Sequence, residues 1–134
     1  MLQPKKQKYR KQFRGKMPGN AGRGVEVVFG EYGMKAMGRG WLSSRQIEAA
    51  RKAIVKYTRR GGKVWIRVFP DKPVTKKALG TRMGSGKGDI FQYVAVIRPG
   101  RILFEIAGVS PELAGEAFKN GGAKIPFRVK LVTK

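Results

Sequence analysis

Apolar and polar positions along this chain change period several times, and each change marks an element. Val25-Glu26-Val27-Val28-Phe29 has the makings of a short strand, with Gly30 and Gly33 punctuating the next stretch and a loop at Gly38-Arg39-Gly40. A helical period takes over after Ser43. Ser43 and Gln46 stand at capping-box spacing, in which each side chain satisfies a backbone N–H of the other residue. Ile47, Ala50, Ile54 and Tyr57 fall on one side of a helical wheel; Arg45, Lys52, Lys56 and Arg59 fall on the other. Glu48 and Lys52 are spaced for an i, i+4 pair. Gly61-Gly62 is the expected stop.

Lys63 to Phe69 predicts a strand with one apolar and one mixed face, stopped by Pro70 and Pro73. Residues 70–90 have no usable period, which predicts a long loop carrying Lys72, Lys76, Lys77, Arg82 and Lys87. Such a loop in a small domain is usually functional or disordered. Phe91–Arg98 and Arg101–Ile106 are expected to pair as a hairpin, because Pro99-Gly100 suits the two central positions of a type II turn. Ser110-Pro111-Glu112 begins a second helix with a side-chain cap, a first-turn proline and an acid at the positive end of the dipole. Leu113, Ala114, Ala117 and Phe118 form its buried side, and Gly121-Gly122 weaken its end. Phe127, Val129 and Leu131 then alternate with Arg128 and Lys130 in a last strand. The expected fold is α+β: a mostly antiparallel sheet with two helices packed against it. A basic arm over residues 1–24 precedes a single domain over 25–134, and a long Gly-rich basic loop interrupts that domain.

Charge changes the picture from fold to partner. The chain has 30 Lys and Arg against 8 Asp and Glu, a formal net charge of +22. So large an excess repels itself unless a polyanion neutralises it. Nucleic acid does so, because each phosphate contact by Lys or Arg releases condensed counterions; an anionic membrane surface is the weaker alternative. There is neither Cys nor His, which removes disulfides, thiolate and zinc chemistry and histidine-based catalysis. No apolar stretch is long enough for a membrane span, and the basic N-terminus has no apolar core of a secretory signal.

The arm holds Lys5, Lys6, Lys8, Arg10, Lys11, Arg14, Lys16 and Arg23 with no acid, and Tyr9 and Phe13 lie among them. In isolation such a segment is a solvated tail; beside RNA it is a string of phosphate partners with rings for stacking. The cationic helix row is extended by Arg51, Arg60 and Lys63, while Glu48 is the only acid in residues 32–70. Phosphate contact is favoured there too.

Candidate chemistry is otherwise sparse. Gly84-Ser85-Gly86-Lys87-Gly88 suggests a phosphate-binding loop but fails the test: Thr81 stands where the first glycine is needed, Gly88 follows the lysine, and a strand comes next. The loop fits better as a mobile tip that brings backbone close to RNA, with Arg82 and Lys87 as its charges. The acids are scattered, with no pair suited to a metal or to acid–base catalysis, and Asp71 suits a turn. No cofactor is expected. Trp41 and Trp65 could stack on bases, although aromatics in or beside strands more often pack.

Several segments, taken together, resemble a known family. Met1-Leu2-Gln3-Pro4-Lys5-Lys6 with Tyr9-Arg10-Lys11, Arg45-Gln46-Ile47-Glu48-Ala49-Ala50-Arg51, Gly62 to Pro73, Arg82-Met83-Gly84-Ser85-Gly86-Lys87-Gly88 and Pro99-Gly100-Arg101 resemble bacterial and organellar large-subunit ribosomal protein sixteen, almost from end to end. The resemblance implies an α+β protein on large-subunit rRNA near the peptidyl transferase centre, in a cytoplasmic or organellar ribosome. Its implied partners are that rRNA, A-site tRNA with P-site tRNA as a second candidate, and neighbouring large-subunit proteins, with no membrane, homo-oligomer or catalysis. The family's tRNA-proximal loop maps onto Arg82, Met83, Gly84, Ser85, Gly86, Lys87 and Gly88, and its basic arm onto Lys5 to Lys16. Two departures are Ala78 after Lys77, where members commonly have Pro, and Gly121-Gly122, where many carry alanines. A free-standing nucleic-acid chaperone or compaction protein shares the charge but not the motifs; an RNA-modifying enzyme lacks catalytic residues.

Overall fold

The computed structural model describes residues 2–58 and 61–134. Its elements are β1 (Tyr32–Ala36), β2 (Gly40–Ser43), α1 (Ser44–Thr58), β3 (Lys63–Ile66), β4 (Lys72–Lys76), β5 (Asp89–Ile97), β6 (Ile102–Ala107), α2 (Pro111–Gly122) and β7 (Val129–Thr133). The fold is α+β, but with two sheets instead of one. The larger has strand order β3-β6-β1-β7 and the smaller β2-β5-β4, and the pairings are antiparallel. Among the described residues no helix is long and apolar enough to cross a membrane.

The local signals work as expected. Ser43 N–H donates to Gln46 Oε1 at 2.9 Å and Gln46 N–H to Ser43 Oγ at 3.2 Å, so the capping box forms. At α2, Leu113 N–H donates to Ser110 Oγ at 3.2 Å, and Pro111 fills the first turn. Ile47, Ala50 and Ile54 of α1 meet Ala114, Ala117 and Phe118 of α2, and both helices pack over Met34, Phe104 and Ile106 of the larger sheet. The two glycines do not break α2, which runs through Gly122. A Cβ on Gly121 would lie 2.7 Å from Ile54 Cγ1, so the glycine is what lets the helices approach so closely.

Five expectations about individual segments are corrected. The hairpin does not form. Pro99-Gly100 does turn, with Gly100 at φ +100° and Arg101 N–H on Arg98 carbonyl at 3.3 Å, but β5 pairs with β2 and β4 whereas β6 pairs with β1 and β3. The end of β1 takes hold of the turn: Gly100 N–H donates to Ala36 carbonyl at 2.7 Å and Ala36 N–H to Arg101 carbonyl at 2.8 Å. The chain therefore crosses between sheets there. Second, residues 70–90 are not all loop. Residues 72–76 form β4 on the outer edge of the smaller sheet, the one place in a sheet where Pro73, lacking an N–H, does no harm. Third, residues 25–29 form no strand; they lie over the second face of the larger sheet, with the Val28 and Phe29 amides taken by the Glu105 carboxylate. Fourth, Tyr57 is exposed and Thr58 takes the buried place at the end of α1. The 63–69 strand is also shorter than expected, ending at Ile66, although Arg67 N–H still donates to Leu103 carbonyl at 2.9 Å.

Candidate nucleic-acid interface

Residues 2–24 contain no helix or strand and lie against the body, held by bonds to and from their backbone and side chains. Gln7 Nε2 donates to the Asp71 carbonyl and Lys72 Nζ to the Arg14 carbonyl. Arg39 donates to Met17 carbonyl at 2.6 Å, Ala21 N–H to Pro99 carbonyl at 2.9 Å, and Ile102 N–H to Gly24 carbonyl at 2.7 Å. Lys5, Lys6, Lys8, Arg10, Arg14 and Lys16 remain exposed, and Lys11 is half-buried.

Arm and loop meet. Lys11 Nζ donates to Lys87 carbonyl at 3.3 Å, and Lys87 Nζ donates back to Gln12 carbonyl. Lys87 also stands 5.7 Å from the ring of Phe13. Beside them Trp41 lies within 5.5 Å of both Arg14 and Lys72, a pair of cations on one indole. Gln12, Arg14, Trp41, Lys72 and Lys87 line a cleft of about 310 Å³ there. Sequence alone separates arm from loop and leaves Lys72 and Trp41 outside the site. The only signal for joining them is their shared charge, which says nothing about position.

The loop proper spans residues 77–88. Lys77 Nζ donates to Gly84 carbonyl and Thr81 N–H to Ala78 carbonyl at 3.0 Å, which is local bonding only. Ser85 takes φ +61° between Gly84 at +97° and Gly86 at +96°, a run of left-handed backbone that two glycines make accessible. Arg82, Met83, Ser85 and Lys87 are exposed, and Gly88 is half-buried where a Cβ would collide with Lys76 backbone at 2.8 Å. Leu79 and Met83 also stand in solvent, apolar residues at a tip that composition alone marks only as basic.

The cationic helix face forms a second patch. Arg45, Lys52, Lys56 and Lys63 are exposed, and Arg59 and Arg60 lie outside the described residues. Glu48 does not pair with Lys52. Two hydrogen bonds from Arg51 take its carboxylate instead, and that hydrogen bonding holds the carboxyl below its ordinary range against a small opposing effect of burial. Lys52 and Lys56 face an open groove between the helices with Tyr57, Glu116, Asn120 and Lys124. The Tyr57 hydroxyl donates to Glu116, which pushes the phenol up from its usual value. No hydrogen bond or cation–π contact joins this patch to the arm among the described residues.

A third region carries no signal in the sequence. Glu105 of β6 is fully buried. One carboxylate oxygen, Oε1, accepts three successive backbone amides, from Val28 at 3.0 Å, Phe29 at 2.7 Å and Gly30 at 2.8 Å. The other oxygen is paired with Arg67. Burial alone would raise this carboxyl, but the amides of Gly30 and Phe29 and the Arg67 guanidinium outweigh it and keep the pKa below the usual range. The segment so held presents Phe29 outward, 6.2 Å from the ring of Trp65 at an interplanar angle of 22°.

Two patches of exposed cations, aromatic rings beside one of them and a glycine-rich tip are what the described residues bring to the surface, and among these residues no group of three or more acids could hold a metal ion. Residues 4–132 of the 134 match the family described as ribosomal protein L16p/L10e, and the chain belongs to that family.

Proposed function

We propose that this protein, a structural RNA-binding component of the large ribosomal subunit, fixes an rRNA fold near the peptidyl transferase centre and uses its loop to position A-site tRNA. In this reading Lys5, Lys6, Lys8, Arg10, Lys11, Arg14 and Lys16 contact rRNA phosphates along the arm. Arg45, Lys52, Lys56 and Lys63, with Arg59 and Arg60 beside them in sequence, do so from α1 and its exit. Arg82 to Gly88 approach tRNA backbone. Contacts of this kind orient a nucleic acid without reading its sequence.

The observation that supports it best is the reciprocal bonding of Lys11 and Lys87 across arm and loop. It brings the loop's base against the surface proposed for rRNA, so an arm docked on rRNA gives the loop a defined starting place while its tip stays adjustable. The test separates the two contacts. Binding to a large-subunit rRNA transcript is expected to weaken with salt at a slope of about −0.7 per neutralised phosphate for single-stranded RNA. Arg82→Ala, altering an exposed side chain at the tip, is expected to lower A-site tRNA occupancy of assembled subunits while leaving the amount of assembled protein unchanged. Salt-insensitive rRNA binding, or A-site occupancy equal to wild type, overturns the assignment.

A further inference from the structure

The chemistry around Glu105 asks why a fully buried carboxylate is kept on a strand otherwise made of Ile, Leu, Phe and Ala. Burying a charge is expensive before its partners compensate. What Glu105 does in return is fix one short segment. Three consecutive amides turned onto one oxygen form an anion nest, and the ring they position, Phe29, is 59% exposed. Packing against Trp65 and Arg67 covers only part of that ring and leaves the rest in solvent.

Trp65 is directly opposite Glu105 in the β3–β6 ladder, so the two share a face of the sheet. Alternation puts Lys63 on that face as well. Lys63 Nζ lies 5.7 Å from the Trp65 ring, and Arg67 lies 5.1 Å from the Phe29 ring. The result is a row of cation, ring, ring and cation on this face of the larger sheet, with Lys134 donating to the Val28 carbonyl at 3.1 Å. Glu26 and Glu31 are the acids of the same segment, and Glu31 is engaged with the Gly108 amide at 3.3 Å.

We infer that Phe29 and Trp65 form a stacking platform for an unpaired RNA base, with Lys63 serving its flanking phosphate. The inference rests on the protein binding RNA, and it adds a base-stacking contact in which Lys63, already counted with the helix patch, serves a phosphate beside the rings. A base suits the site better than a protein side chain. Lys63 beside the rings is exposed and is a cation that a phosphate neutralises, whereas Arg67 is already paired with Glu105, and stacking needs one exposed ring and no pocket. At 6.2 Å between centroids the two rings leave no slot between them, so the base stacks on the outside of the pair.

The test uses the full chain and a mixed-sequence single-stranded RNA oligonucleotide, titrated at several salt concentrations. Phe29→Leu is expected to weaken binding about 5- to 100-fold, the range for losing one base–aromatic stack, with the salt slope unchanged because no charge is removed. Phe29→Tyr restores the affinity. In a Trp41→Phe background, Trp65 is the one remaining tryptophan, and its fluorescence is expected to quench on RNA addition. Equal affinity of Phe29→Leu and wild type, or unquenched Trp65, overturns the platform while salt-dependent binding by the wild type leaves the RNA-binding reading standing. Failure of the wild type to bind RNA overturns both. Ultraviolet crosslinking in the large subunit is expected to join Phe29 or Trp65 to a nucleotide; a crosslink to a neighbouring protein instead overturns the choice of RNA.

Discussion

Residues 24–31 and residues 77–88 are both connections without a strand or helix, and the protein holds them in opposite ways. The first is gripped from beneath. Its amides end on a buried carboxylate, Gly24 carbonyl accepts from β6, and Glu31 N–H donates to Ile106 carbonyl at 2.9 Å. The second is tethered by lysine ammonium groups to carbonyls in solvent-exposed hydrogen bonds, with Leu79 105% and Met83 93% exposed at its tip. Buried, fully partnered polar groups rigidify, because leaving any one unpaired is expensive. Exposed bonds compete with water and contribute little, so segments held by them open at small cost. In the proposed reading both segments display side chains for RNA, one as a fixed plate and the other as an adjustable finger.

The largest expected effect comes from removing the grip. Glu105→Ala leaves three amides and Arg67 without their acceptor and is expected to cost about 3–5 kcal/mol, the range for breaking a buried ion pair on one side. Urea unfolding followed by circular dichroism measures it; a loss under about 1 kcal/mol would equate the two segments and end the contrast. The pH dependence has a definite sign. Because the folded-state pKa of Glu105 is depressed, its stabilisation is present above the ordinary carboxylate pKa of the unfolded chain and fades as pH falls through the folded value. Glu105→Gln, which never carries the charge, is expected to flatten that acid limb.

A middle-sized effect is expected at Gly30. A Cβ there would stand 2.7 Å from the Ile106 carbonyl oxygen, a backbone atom with little freedom to yield. Gly30→Ala is therefore expected to cost about 1–3 kcal/mol, as overpacking does. Gly84 is the matched control in the loop, because a methyl group there would meet nothing within 4 Å. Only its positive φ resists alanine, and thermal unfolding should move less than for Gly30→Ala.

The same contrast explains what could be read from the sequence. Ser43 with Gln46, and Ser110 with Pro111, were legible because a cap's partners lie within three residues. Pro99-Gly100 was legible as a turn for the same reason, but not the sheet each flanking strand would join, since those partners are set by β1 and by β2 and β4. Glu105 was illegible: an acid in an apolar run resembles a solvent-facing strand position, and its Gly30 partner lies 75 residues away. Charge identified the cationic segments and the class of partner. It left unread that Lys87 returns to Gln12, again 75 residues distant.

The smallest effect on stability, and the finest discrimination, belongs to Lys87. Its ammonium is exposed and its bond to the Gln12 carbonyl competes with water, so Lys87→Ala is expected to change unfolding free energy by no more than about 0.5 kcal/mol, as exposed substitutions do. Local order should respond far more than global stability. Lys87→Ala removes the bond to Gln12 and leaves Lys11 on the residue 87 carbonyl; backbone motion at residues 10–14, read by NMR relaxation, is expected to quicken while motion at 28–30, held by Glu105, stays slow. If both segments quicken together, the two are one cooperative unit and the finger is not independent of the plate. If neither does, the arm's other bonds, those of Lys11, Gln7, Lys72, Arg39 and Ala21 among them, hold it without the Lys87 ammonium, and that ammonium's link to it is incidental.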